Sequence, residues 1–449
     1  MVFINETGNT VKLNDIGKVI PFLGKQPQEI DVDSVKRSKV FQSLCLAKKF
    51  LIVSTTDERI EKNLLHFQNG KMAPEKPKIE VKIRGHFLTN SGYGKANRNL
   101  VYALSMAGVR VNVETSSDSN GSLNQMELQK IARYKRPFSN DTIVIDSMIP
   151  SFSPIKKDGK YRILNTTIEA ESIPLQFVDS CQSYDEIWVP SDFCKKVLSD
   201  HGVSVPIYII PNAVDSSLYN DAGKPHSFCP KLNKFVFVSV MSWSYRKGYD
   251  VLLKAYLKEF SNRDDVSLLI VSGYNESMTD AADKYISNAT SFVGHPHVAR
   301  VGREVPEFEM ARLYKACNCF VLPSRGEGFG LPFVEAGMCG LPVIATRCSA
   351  QTMFLNDDNS YLLDVDKISP MEDGKTGIHY WDGQMFPELI DDSVIDKLCK
   401  LMRNVYSNYD EAQVKGKILQ QSLAKYSLES VGKVAAERLE NICKTLSLF

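Results

Sequence analysis

At 449 residues the chain is long enough for two large domains and a smaller addition. Lysine plus arginine number 54 against 53 acidic residues, a formal net charge of +1; this excludes a general field for nucleic acid or acidic membrane and leaves room only for a local basic patch. The 10 cysteines stand singly except Cys317 and Cys319, and no Cys-x2-Cys pair is matched by a second pair or by histidines, so they read as buried or free thiols in a reducing compartment rather than zinc ligands.

The opening Met-Val-Phe-Ile-Asn-Glu-Thr-Gly lacks a basic segment followed by an apolar core, and apolar runs such as Phe235 to Met241 are far too short to span a bilayer. A cytoplasmic protein with no signal peptide and no integral membrane segment is expected. Residues 1–77 stand apart. Their apolar pieces, Val19–Leu23, Val40–Leu46 and Phe50–Val53, are too brief for a Rossmann-like half, and they end in a linker composition, Asn69-Gly70-Lys71-Met72-Ala73-Pro74-Glu75-Lys76-Pro77. Two readings are open: an accessory module for docking or acceptor choice, and a packing extension of the first domain.

Glu80 to Phe87 alternates as a strand and breaks at Thr89-Asn90-Ser91-Gly92-Tyr93-Gly94. A helix from Lys95 to about Ala107 follows, with Leu100, Val101, Leu104 and Ala107 on one face, and Gly108 closes it before the strand Val109–Val113. The glycine turn is not a P-loop, whose first glycine and final Ser or Thr would fall on Thr89 and Ala96. Further strands read as Thr142–Asp146, Tyr161–Asn165 and Glu186–Pro190. Helices are expected over Pro174–Ser183 and, capped by Ser191, over Asp192–Ser199.

After Ile209-Ile210-Pro211-Asn212-Ala213-Val214-Asp215 the chain crosses, by about residue 232, to a second set of elements. Phe235–Ser242 is a buried strand, and a helix from Gly248 to Phe260 turns Val251, Leu252, Ala255 and Tyr256 inward. Between them, Tyr245-Arg246-Lys247-Gly248 sets two cations where a diphosphate would be within reach, Lys247 as a point charge and Arg246 as a fork; a solvated basic turn is the bland alternative. Val266–Gly273 and Phe292–Gly294 continue the strands, and Val301-Gly302-Arg303-Glu304-Val305-Pro306 leads into a helix over Glu307–Cys317.

The apolar run Cys319–Leu322 opens the most informative stretch, Ser324-Arg325-Gly326-Glu327-Gly328-Phe329-Gly330-Leu331-Pro332-Phe333-Val334-Glu335-Ala336. A buried strand, a glycine-rich turn and a helix with Pro332 in its first turn aim unpaired N–H groups and the positive end of the helix dipole at one place, which favours anionic or oxygen-rich ligands. Gly328 and Gly330 let the backbone approach such a ligand. Glu327 and Glu335 flank this cradle. A carboxylate suits hydroxyl donors rather than phosphate, so the expected ligand carries both a diphosphate and sugar or ribose hydroxyls. Beyond it, Leu341–Thr346 reads as a strand, Met371–Trp381 as a flexible rim and Ser427–Leu446 as a helix.

The eight-residue spacing of Glu327 and Glu335 resembles the Glu-x7-Glu motif of retaining GT-B glycosyltransferases of the family 4 type, the group 1 family that includes sucrose synthases and bacterial mannosyltransferases. The resemblance runs over about residues 80–445. It implies an α/β fold of two Rossmann-like domains facing a central cleft, with an N-terminal extension: residues 1–77 as the accessory module, 78–210 as the acceptor domain, 211–426 as the donor domain, and 427–449 as a helix crossing back onto the first domain. The implied donor is a nucleotide-diphosphate sugar, used with retention of anomeric configuration and without metal or other cofactor.

By the same resemblance Glu335 accepts from the ribose hydroxyls, Glu327 contacts the transferred sugar, and Gly328, Phe329, Gly330 and Leu331 hold sugar oxygens or phosphate. Lys247 binds the departing diphosphate, with Arg246 standing in for an arginine that many members carry where this chain has Ser242. The loop with Arg303 and Val305 lies against the base, which backbone groups read, so uridine, guanosine and adenosine donors stay open. Gly92 and Gly94 match the glycine loop near the donor phosphates. On the acceptor side Glu169, in Thr166-Thr167-Ile168-Glu169, is a candidate to orient or deprotonate a hydroxyl, with a helix-capping role as its alternative. His86 and Asp146, the latter where other members place a histidine, are further acceptor-side candidates. Ala213 replaces a usual glycine. The pairs Asp31 with Asp33 and Asp364 with Asp366 have the spacing of a metal motif in another glycosyltransferase fold but sit in the wrong place for it. Glycan, lipid-linked, protein and modified nucleic-acid acceptors all stay open, including a macromolecule docked through residues 1–77. The oligomeric state is not indicated. A non-catalytic nucleotide-sugar-binding subunit is the alternative to an enzyme.

Overall fold

The computed structural model describes residues 79–446 apart from 116–122, 136–141, 151–157, 224, 228–231, 274–275 and 373–378, together with the strand residues of the first 78. The chain divides into two compact units, Met1–Lys78 and Ile79–Phe449. In the first unit β1 (Val2–Asn5) pairs antiparallel with β4 (Gln28–Glu29) and β5 (Phe50–Ser54), while β2 (Val11–Leu13) and β3 (Lys18–Ile20) form a separate antiparallel pair. Asp31 and Asp33 lie outside the described residues.

The second unit holds two six-stranded parallel sheets. The first is built from β6 (Glu80–Gly85), α1 (Gly92–Met106), β7 (Arg110–Thr115), α2 (Gln125–Ala132), β8 (Ile143–Ser147), β9 (Tyr161–Asn165), α3 (Leu175–Cys181), β10 (Glu186–Val189), α4 (Asp192–Asp200) and β11 (Ile207–Ile209). Its order, β11-β10-β9-β8-β6-β7, reverses direction between β8 and β6. The expected glycine turn is shorter than its composition suggests. The Ser91 hydroxyl accepts from the Gly94 N–H at 3.1 Å, so Gly92 and Gly94 already lie in the first turn of α1; a capping serine has taken over two glycines that read as loop.

The second sheet follows with β12 (Phe235–Val240), α5 (Tyr249–Glu259), β13 (Val266–Val271), α6 (Glu276–Ala289), β14 (His297–Val301), α7 (Glu307–Lys315), β15 (Cys319–Leu322), α8 (Leu331–Met338), β16 (Val343–Thr346) and β17 (Tyr361–Leu363). Strands buried on both faces read as continuous apolar runs, as Phe-Val-Phe-Val and Cys-Phe-Val-Leu do here. The order β14-β13-β12-β15-β16-β17 reverses between β12 and β15. In an open parallel sheet that is where ligands bind, beyond the carboxyl ends of the strands. The strand expected at Phe292–Gly294 lies elsewhere. His297 to Val301 pairs with Ser267 to Val271 along β13, whereas Val293 is fully exposed, so register against a neighbour outweighed a local apolar pair.

Beyond the sheet come the antiparallel pair β18 (Ile368–Pro370) and β19 (Met385–Pro387), then α9 (Asp392–Ser407), α10 (Tyr409–Ser422) and α11 (Leu428–Thr445). The rim expected to be flexible, Met371–Trp381, has 373–378 outside the described residues. Its ends are anchored: Met371 and Trp381 are buried in a cluster with Phe177 and Ile173 of the first domain. Helix α11 returns to the first domain, where Val431, Ala435, Leu439 and Ile442 share one core with Val81, Ile83, Val111 and Ile143. Contact is backbone to backbone, since a Cβ on Gly432 would lie 2.2 Å from the Ala103 carbonyl oxygen of α1.

Candidate active site

The carboxyl ends of both sheets face a cavity of about 500 Å³. Two turns at the β12/β15 reversal form its floor. The turn after β12 is a single 3-10 turn, Tyr245–Lys247, ended by Gly248 at φ 71°; a Cβ there would fall 1.9 Å from the Pro323 carbonyl oxygen, so only glycine lets the two turns touch. Arg325 ties them together. Its guanidinium pairs with Asp250 at 2.9 and 2.8 Å and stacks 3.7 Å from the Tyr245 ring. Nothing near Arg325 in sequence signals this role, because its partner Asp250 lies 75 residues away.

Arg246, Lys247, Glu327 and Glu169 form a chain of alternating charge. Lys247 Nζ lies 2.6 Å from Glu327 Oε1, Arg246 lies 3.6 Å from the same oxygen and 2.9 Å from Glu169 Oε1 of the first domain, and Arg246 also donates to the Gly326 carbonyl. Burial opposes the charge on Glu327, but Lys247 and Arg246 together outweigh it and hold this carboxyl below the usual range. For Lys247 burial dominates and lowers its pKa despite Glu327. Glu327 is also gripped through its backbone: its N–H donates to the Ser349 hydroxyl at 3.0 Å. Ser349 has φ 47°, the sole non-glycine positive φ among the described residues, a strained conformation at the point where it orients Glu327.

At the far end of the cradle, α8 starts at Gly330, φ 87°, with Pro332 in its first turn. Among the described residues, the N–H groups of Phe329, Gly330 and Leu331 have no hydrogen-bond partner, and all three residues line the cavity. Glu335 is buried one turn further in. Its Oε1 accepts from Lys95 Nζ of α1 at 2.6 Å and its Oε2 from the Tyr314 hydroxyl at 3.2 Å. Burial, partly offset by Lys95, raises the Glu335 pKa.

The two domains close on each other around these groups. Ser191 donates to the Gly328 carbonyl at 2.9 Å, and Asn90 donates to Glu304 at 2.8 Å. Gly92, Val305 and Arg303 line the cavity with Glu169, Arg246, Lys247, Glu327, Glu335 and Gly328–Leu331; the Arg303 side chain itself is turned to Glu309 and more than half exposed. Gly94, His86 and Asp146 are not among the lining residues. Asp146 is buried in a bidentate pair with Arg84 at 2.6 and 3.1 Å, and the His86 carbonyl accepts from Asn97. Asp146 is thereby committed to Arg84 within the first domain, and His86 stands outside the cavity lining. Ala213 needs no glycine, since it has no positive φ. Asp364 and Asp366 are engaged by Arg347 and Lys397, and among the described residues no three His, Cys, Asp or Glu side chains converge as metal ligands.

Two facing parallel sheets with a cleft at their carboxyl ends define the GT-B architecture, and solved structures agree. Sucrose-phosphate synthase from Thermosynechococcus elongatus superposes with TM-score 0.57 at 14% identity, covering 82% of this chain and 100% of that one. HepE from Anabaena, solved in complex with UDP and glucose, gives TM-score 0.54 at 13% identity over 81% of this chain and 100% of that one. Residues 233–373 match the family described as "Glycosyl transferases group 1". Similar curated proteins include D-inositol 3-phosphate glycosyltransferase of Arthrobacter sp. (strain FB24), 27% identical over 46% of each chain. Putative glycosyltransferase 45 of a Sulfolobus islandicus filamentous virus is 27% identical over 47% of this chain and 56% of its own. The chain spans about half the length of these curated relatives. Among the described residues no helix is long and apolar enough to cross a membrane.

Proposed function

We propose that this protein is a retaining glycosyltransferase that moves a sugar from a nucleoside-diphosphate sugar to an acceptor hydroxyl in the cytoplasm. One observation carries the reading: Arg246, Lys247 and the unpaired N–H groups of Phe329, Gly330 and Leu331 converge on one cavity with Glu327 and Glu335. Cations and N–H donors stabilise a departing diphosphate as the glycosidic bond breaks, and the two carboxylates accept from hydroxyls. Because fixed protein groups supply that charge, the reaction proceeds without a metal. HepE, which shares the fold, binds UDP and glucose, in keeping with a diphosphate-sugar site here.

Glu169 reaches this cavity from the first domain, next to the cations, and is assigned to the acceptor hydroxyl. The test is a panel of UDP-, GDP- and ADP-sugars, each with and without chelator, read by thermal shift and by slow hydrolysis. One donor that raises the melting temperature and is hydrolysed in chelator is the expected result. Stabilisation with no sugar release, even with candidate acceptors present, would establish a binding subunit instead.

A further inference from the structure

We propose that Lys95 is a positioning residue for donor recognition: from the opposite domain it fixes the Glu335 carboxylate so that its remaining lone pairs face the adjacent hydroxyls of a nucleoside ribose. The inference rests on the reading of the cleft as a nucleotide-sugar site. Lys95 lies on α1, in the first domain, and Glu335 on α8, in the second, so their 2.6 Å contact exists only while the domains meet. Both line the cavity.

An ionised carboxylate offers about four acceptor positions over its two oxygens. Lys95 takes one on Oε1 and the Tyr314 hydroxyl one on Oε2. Each oxygen keeps capacity for one more donor, the number a vicinal diol presents. The lysine is held in turn: its Nζ donates to the Tyr219 hydroxyl at 2.7 Å and lies 4.6 Å from the centre of that ring, with Glu307 3.9 Å away. A buried carboxylate stripped of its cation takes up a proton or swings away, and either change spoils an acceptor pair. Lys247 and Arg246, at the other end of the cradle, keep their place on the diphosphate. Loss of Lys95 should therefore remove recognition of the ribose hydroxyls and spare the rest of the nucleotide.

The experiment measures binding of UDP, GDP and ADP, each against its 2′-deoxy form, to the full chain and its variants. In the wild type the bound ribonucleotide should exceed its deoxy form by roughly tenfold or more, the worth of one hydrogen bond to a charged group. In Lys95→Met that ratio should collapse to about twofold or less, because the ribonucleotide loses far more affinity than the deoxy form, which has only its 3′-hydroxyl to lose; Lys95→Arg should restore it. A melting curve checks folding, and if the Met variant does not fold, Lys95→Gln, which keeps a donor without the charge, carries the test with the same expected fall. A ratio that persists without Lys95, or equal weakening of both forms as a mere tie between domains would give, overturns the proposal. A wild type that binds a nucleotide with no ribose preference overturns this inference alone. One that binds none of the six nucleotides overturns the nucleotide-sugar reading and the inference with it.

Discussion

Arg246 and Glu169 lie 2.9 Å apart across the cleft, one from each Rossmann-like domain. The site thus neutralises its own cations: the carboxylates of Glu169 and Glu327 occupy the charge that a diphosphate would otherwise meet. Binding of a donor must displace at least part of this network. Glu169→Gln should leave nucleoside-diphosphate affinity unchanged or tighter, because Arg246 loses a competitor. Transfer to acceptor should nevertheless fall by roughly 10²- to 10⁴-fold, the usual weight of a general base. Calorimetry with the nucleotide and a transfer assay on the same variant separate the two effects; weaker nucleotide binding would count against the competition.

Lys247 is the nearer cation to Glu327. Lys247→Ala should lower kcat/KM for the donor by roughly 10²- to 10³-fold, as losing one preorganised donor to a developing anion does. The fold should persist, as judged by a cooperative melting transition. Near-native donor kinetics in a folded variant would remove Lys247 from the site.

The pH profile of donor kcat/KM should be drawn in from both sides. Glu335 must be ionised to accept from hydroxyls, and burial raises its pKa, so activity should fall on acidification at a higher pH than an ordinary glutamate would dictate. Lys247 must be protonated to meet a diphosphate, and burial lowers its pKa, so activity should fall on the alkaline side before an ordinary lysine would titrate. Glu335→Gln should abolish the acid limb. If that limb stays where it was, another group sets it.

Gly326 leaves no room for a side chain against the first domain, since a Cβ there would lie 1.9 Å from the Glu169 carbonyl oxygen. Gly326→Ala should hold the cleft open. Solution scattering should show a larger radius of gyration, and transfer should fall more than about tenfold, because the cross-cleft geometry that catalysis needs is lost. Nucleotide should still raise the melting temperature, because Arg246, Lys247 and the N–H groups of Phe329, Gly330 and Leu331 all belong to the second domain, whereas the ribose preference that rests on Lys95 should fall.

What the sequence made legible was local. The strand, turn and helix from Cys319 to Met338 announce themselves through an apolar run, three glycines and a proline at the helix start, and the facing turn through Tyr245-Arg246-Lys247-Gly248. Contacts between distant segments were not legible. Lys95 read as the first residue of a helix, and nothing near it in sequence points to Glu335. Ser349 looked ordinary, since a strained φ leaves no signature in a serine. Asp146 fell at a strand end where an acceptor group was expected, but Arg84, aligned with it across β6 and β8, had already claimed it. The misplaced strand at Phe292–Gly294 has the same cause, because pairing with β13 decides register and two apolar residues do not.

Helix α11 also bears on how the protein is made. The first domain's core is finished by Val431, Ala435, Leu439 and Ile442, which leave the ribosome only after the whole second domain. The residues up to Ile210 therefore emerge with an apolar face that nothing nearby can cover, while the second sheet can collapse around its own strands. Assembly should run from the middle of the chain outward, and a nascent chain halted anywhere before α11 would display a sticky half-domain to chaperones and proteases.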